Sequence, residues 1–266
     1  MDYVIGTDCR PSTILIKIRS LNAARLHLLV WDRKQASTVL TDRPMICHPN
    51  DEKVWEVPMP VCGHDLCVSI WDEANPAGQL SDCGVSVQDI RLTRLKTYPL
   101  AIDWANPKMR QAVKLGKQFC YNLGWLPTNE MGKAYCSPDE SLKIILFPEL
   151  QDPKSGKESV TPMRISQWTK VMEASQKMCV PFSVPGRAVM FFHEFCHEYE
   201  NHDPLWELEA DLNGLSIYLG LGFSRYEALK IYQDIFYKVD TDANIGRLVH
   251  IEDFINNFEK HIKHTK

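Results

Sequence analysis

The segment 185–201 constrains this chain more than any other, because it is apolar around nearly its whole circumference yet carries ionisable side chains. Ala188, Val189, Met190, Phe191, Phe192, Phe195 and Cys196 cover most of its surface, and a helix of that kind is buried. Inside it sit His193, Glu194 and His197. Buried imidazoles and a buried carboxylate are costly unless they are paired or bound to a metal ion. Two histidines four residues apart share one helical face, so both rings can reach a single ion. Glu194 is offset by one position, where its carboxylate can reach a water on the ion's open side.

The downstream sequence supplies a third ligand. Asp203-Pro204 reads as an N-cap and a first-turn proline, so a second helix is expected over 204–219 after a turn at 201–203. So short a connection makes the two helices antiparallel neighbours. Glu207, one turn into the second helix, is then level with His197, and Asp211 is level with His193. Glu207 is expected as the third ligand, and Asp211 as the acceptor that holds a ligand histidine's other ring nitrogen. Glu209 points the opposite way, toward solvent or a salt bridge. Asp203 is an alternative ligand that serves better as a helix cap, and His202 reads as a surface residue of the turn.

His193-Glu194-x-x-His197 followed by Glu207-Leu208-Glu209-Ala210-Asp211 resembles the glutamate-type zincins, the gluzincins. The Glu-x-x-Ala-Asp form is similar to compact peptidases of the ImmA/IrrE type and to the integral-membrane CAAX-protease group. With no stretch approaching a membrane span, the first is favoured. The resemblance covers roughly 142–221. It implies one zinc ion per chain held by His193, His197 and Glu207, and hydrolysis of a protein or peptide substrate with Glu194 as general base. It also implies that the strand 142–147 borders the cleft, where an extended peptide can pair with it. Nine residues separate His197 from Glu207, fewer than in most gluzincins. The metzincin alternative lacks its turn glycine, since Glu200 stands there, although Asp203 holds its third-ligand position. Tyr199, Tyr218, Tyr226 and His250 are all open as the oxyanion-stabilising group.

Ahead of this region the chain reads as strands. Segments 13–18, 26–31, 54–57, 66–71 and 85–87 are short, β-branched or aromatic, and separated by Gly, Pro, Asn and Asp. Val30-Trp31-Asp32 and Ile70-Trp71-Asp72 echo each other as two strands ending alike. The character changes near Tyr98-Pro99. Asn106-Pro107 opens a helix to about residue 123, 167–178 reads as helical or ambiguous, and helices fill 224–239 and 247–264. The expected fold is α+β: an antiparallel β-sandwich or barrel over 1–98, then a mainly helical zincin-like metallopeptidase domain over 99–266. Cys62, His64 and Cys67, with Cys47-His48 upstream, are ligand types, but ordinary buried thiols explain them as well. The seven tryptophans are expected in the core, with Trp206 able to wall the site.

A formal charge of −4 with scattered basic residues gives no case for nucleic acid or an anionic membrane. Lys260, Lys263 and Lys266 read as the solvated face of a last helix. Nine cysteines without regular spacing, and no positive segment leading into an apolar run at the N-terminus, fit free thiols in a cytoplasmic protein. A virion-associated location is the alternative if the source is viral. Two functions are carried forward. One is a zinc endopeptidase whose β-rich domain selects substrate or joins an assembly. The other is a structural or assembly protein, as in a phage particle, that keeps the zinc site without turnover.

Overall fold

The structure is a computed structural model in which residues 1–129, 134–153, 155–166, 169–203, 205–236 and 241–264 are described. The expectations that touched Trp168, Pro204, 237–239 and Lys266 lie outside them. The chain divides into two compact units, Met1–Lys96 and Thr97–Lys266. It is α+β, with antiparallel sheets in the N-terminal part and helices toward the C-terminus.

In the first unit, apolar residues at every second position give the segments 14–18 and 26–30 a buried face. β1 (Asp2–Gly6), β2 (Ser12–Ser20), β3 (Ala24–Asp32), β4 (Gln35–Cys47), β5 (Asp51–Met59), β6 (Asp65–Asp72) and β7 (Val85–Arg94) form two antiparallel sheets, ordered β1-β6-β3-β4 and β5-β2-β7. Ile14, Ile16 and Ile18 of β2, with Leu26, Leu28 and Val30 of β3, are buried. β1 and β4 carry weak sequence signals. Asp42, Arg43 and Pro44 break the apolar pattern of β4, which tolerates a proline because it is an edge strand. The two Trp-Asp echoes close the neighbouring strands β3 and β6.

The cysteines are the ordinary buried thiols expected of them, whereas the tryptophans are not the core residues expected. Cys47, Cys62 and Cys67 are buried thiols, Cys62 Sγ donates to the Arg10 carbonyl at 3.1 Å, and no ligand group gathers around them among the described residues. Of the described tryptophans, in both units, Trp55 alone is buried. Trp31 and Trp71 are half-buried, and Trp104, Trp125 and Trp206 are exposed, because a ring needs a facing layer that periodicity does not reveal.

The second unit opens with α1 (Pro107–Asn122), whose Asn106 side chain accepts from the Lys108 N–H at 2.9 Å. A small sheet follows: β8 (Tyr135–Cys136), β9 (Lys143–Phe147), β10 (Met163–Ile165) and β11 (Val171–Ser175), in the order β10-β11-β9-β8. Among the described strands, only the β11–β9 pair is parallel. Residues 171–175 are thus a strand and not a helix; pairing beside β9 overrides the helical preference of Met, Glu and Ala. β9 also lies inside the sheet, between β11 and β8, so the expectation that 142–147 borders the cleft fails. The edge is β10.

Among the described residues, five helices complete the unit: α2 (Gln176–Cys179), α3 (Val184–Tyr199), α4 (Glu207–Gly220), α5 (Arg225–Phe236) and α6 (Asp242–His264). Among the described residues, no helix is long and apolar enough to cross a membrane.

Candidate metal centre

α3 is the buried helix that its composition demands. The Ser183 hydroxyl caps it by accepting from the Gly186 N–H at 3.2 Å. Arg187, with no exposed surface, donates from Nε to the Cys179 carbonyl at 3.1 Å, from Nη1 to Cys120 at 3.1 Å and from Nη2 to Val180 at 2.7 Å. That one cation ties the ends of α1 and α2 to the start of α3. Burial pulls its pKa below the usual guanidinium value.

α4 starts later than the sequence suggests. Asp203 does not cap it; its Oδ1 accepts from the Leu205 N–H at 2.9 Å, and its carbonyl from Trp206 at 3.0 Å, closing a separate turn. Glu207 is therefore the first residue of α4, where the helix dipole favours a carboxylate. Asn201 fastens the turn: its Nδ2 donates to the Trp206 carbonyl and its Oδ1 accepts from Asn213 Nδ2 of α4, both at 3.1 Å. Glu209 turns away and pairs with exposed His202 at 2.6 Å. Trp206 is 65% exposed and does not wall the site.

The antiparallel approach of α3 and α4 is set by a glycine. A β-carbon on Gly214 would stand 2.9 Å from the His193 nitrogen and 3.0 Å from its Cα. The backbones meet at the first histidine, and Glu207 and Asp211 fall opposite the two imidazoles. His193 Nε2 and His197 Nε2 are 3.0 Å apart. Glu207 Oε2 lies 3.5 Å from the first and Oε1 3.7 Å from the second. The three ligand atoms lie within 4.8 Å of one another, so this group could hold a metal ion. On its far side, His193 Nδ1 lies 2.9 Å from Asp211 Oδ1. The contact is at ion-pair distance, and neither atom has another partner among the described residues.

Glu194 is buried beside this group, and its Oε2 accepts from the Ile165 N–H of β10 at 2.9 Å. Burial pushes its carboxyl pKa up to about 7 against the opposing pull of His193. The His193 hydrogen bond holds Glu207 down at about 2. Burial disfavours charge on His193, but Asp211 and Glu207 together outweigh it and raise the imidazole to about 10.

Two further groups come from helices to which the sequence assigned no role. Arg247 of α6 donates from Nε to Asp211 Oδ2 at 2.8 Å, and its Nη2 lies 3.2 Å from Glu207 Oε2. Tyr232 of α5 is buried, and burial together with the Asp211 charge drives its phenol well above the usual pKa. Both line a cavity of about 620 Å³ that also takes in His193, Glu194, His197 and β10. Its remaining wall is largely apolar, including Val189, Met190, Leu205 and Phe236. None of Tyr199, Tyr218, Tyr226 and His250 is among the described residues lining it. The Tyr218 hydroxyl is spent on the Ser224 carbonyl at 2.9 Å, and that of Tyr199 is directed to the Ser141 carbonyl.

No protein-family model matches this chain, and neither does any curated protein or solved structure at a significant level.

Proposed function

We propose that the chain is a zinc-dependent peptidase of the zincin type, with His193, His197 and Glu207 as metal ligands. The observation that carries this reading is the convergence of those three side chains beside a buried glutamate in one cleft. The donor set suits zinc. Tetrahedral zinc with bonds near 2.05 Å sets its nitrogen ligands about 3.3 Å apart, and the two Nε2 atoms already face each other at 3.0 Å. Asp211 backs His193 from the opposite ring nitrogen, as a ligand imidazole requires.

Zinc held there supplies Lewis acidity toward a substrate carbonyl and acidifies water. The remaining chemistry belongs to the chain. Glu194, with Oε2 occupied by the Ile165 N–H, would take the proton of the attacking water on Oε1 and deliver it to the leaving amine. Its pKa near 7 suits both duties at neutral pH. β10 is an edge strand along the cavity, and an extended peptide pairs with it by strand addition.

The test is Glu194→Gln. The amide oxygen still accepts from Ile165, so the variant folds and binds zinc as wild type does, while cleavage of a mixed peptide library falls about 10²–10⁴-fold. Undiminished cleavage removes Glu194 from the mechanism. Zinc bound with no cleavage by wild type favours the assembly role.

A further inference from the structure

We infer that Arg247 is a positioning residue that locks Glu207 for metal binding and couples zinc occupancy to docking of the first half of α6. The inference rests on the zinc reading above. Arg247 lies outside both motifs, 36 residues beyond Asp211, on a helix whose other residue in the described cavity wall is Asn244. Every edge of its guanidinium is engaged: Nε with Asp211, Nη2 with Glu207, and Nη1 with Asn244 Oδ1 at 3.5 Å. Its face stacks over Phe236 at 4.7 Å. Its work is to hold side chains of this protein.

Glu207 needs holding, because its side chain is 54% exposed while the two histidines are nearly enclosed. A free glutamate that must be fixed on ligation loses rotamer entropy. Arg247 engages Oε2, which leaves Oε1 presented toward His197. The same contact matters to α6. That helix buries Ile251, Ile255 and Phe258 in its second half, but no residue of 242–250 is buried. Ile245 and Val249 are 55% and 61% exposed. With so little apolar packing, the Arg247 fork is the main described attachment of the first half of α6. Coupling between two such events is reciprocal. If α6 docking improves zinc binding, zinc must stabilise α6 docking.

Charge and positioning predict opposite signs here, which makes the question decidable. A cation beside a metal site repels zinc, so a pure charge effect makes Arg247→Met bind zinc more tightly. Positioning makes it bind about 10–100-fold more weakly, the usual range when support behind a ligand is lost. Arg247→Lys keeps the charge but not the fork, and weakens binding as well.

The experiment measures the zinc dissociation constant of the full chain by chelator competition, alongside hydrogen exchange of amides 243–250. The expected result is weaker zinc binding in both variants. Zinc-dependent protection of 243–250 is expected in wild type and lost in Arg247→Met. Unchanged or tighter zinc binding in Arg247→Met overturns the inference, as does protection that survives the substitution. If Arg247→Met fails to fold, wild-type affinity in Arg247→Lys overturns it instead. Absence of zinc binding by wild type removes the metal reading and this inference together, whereas wild-type binding with unaffected variants removes this inference alone.

Discussion

Gly214→Ala tests whether the helix pair is set by backbone contact at the candidate ligand His193. In an unconstrained helix this substitution stabilises by about 1 kcal/mol through propensity. Here the new methyl would meet the His193 nitrogen at 2.9 Å, its Cα at 3.0 Å and the Phe192 carbonyl carbon at 3.1 Å. These are backbone atoms of a buried helix, so no side chain can swing aside. Overpacking of this kind costs about 1–3 kcal/mol, and backbone-to-backbone contact belongs at the upper end. The net expectation is a loss of about 1–2 kcal/mol in the metal-free protein. Zinc binding should suffer further. Relieving the contact moves α4 by roughly half an ångström, which exceeds the few tenths that a metal ligand set tolerates. Thermal unfolding without metal and chelator competition with zinc read the two effects. Gly246→Ala in α6 is the control, because nothing lies within 4 Å of its added carbon; it should stabilise by about 0.5–1 kcal/mol. Gly214→Ala behaving like that control, with unaltered zinc affinity, would refute the geometry.

Three further outcomes follow from the same structure. Glu207→Ala should abolish tight zinc binding, while Asp211→Asn should weaken it about 10–100-fold; chelator competition giving the reverse order would mean that ligand and support have been exchanged. Zinc affinity should climb with pH across the neutral range. The ion must displace the proton that Asp211 and Glu207 hold on His193 up to about pH 10, and one competing proton gives up to tenfold per pH unit. Glu207, at about 2, is already ionised and adds no slope, whereas Glu194 ionising near 7 adds in the same direction; a flat profile between pH 6.5 and 8.5 would contradict this protonation scheme. Arg187→Met should destabilise the metal-free protein by roughly 2–4 kcal/mol, since buried carbonyls lose their donor while the cost of burying the cation is recovered; a loss below about 1 kcal/mol on denaturant titration would show that the tie is not needed.

The sequence by itself determined the elements whose signals are local. Helix α3 is legible because apolar residues on every side leave burial as its only option. The spacings His193–His197 and Glu207–Asp211 each span one helical turn, so each pair shares a face wherever the helix lies. Strands β2, β3, β5, β6 and β7 are legible from short β-branched and aromatic segments and the turn residues between them. What depends on pairing was not legible. β4 hides behind Asp42-Arg43-Pro44, and only its edge position makes the proline acceptable. β11 reads as helical or ambiguous until β9 lies beside it, and which strand borders the cleft is a matter of sheet order. The tertiary structure alone brings Arg247, Tyr232 and the Ile165 N–H to the two motifs. A turn of helix is fixed by neighbours three and four residues away, whereas Arg247 meets Asp211 across 36 residues. No periodicity reaches that far, because such contacts are chosen by the packing of whole elements.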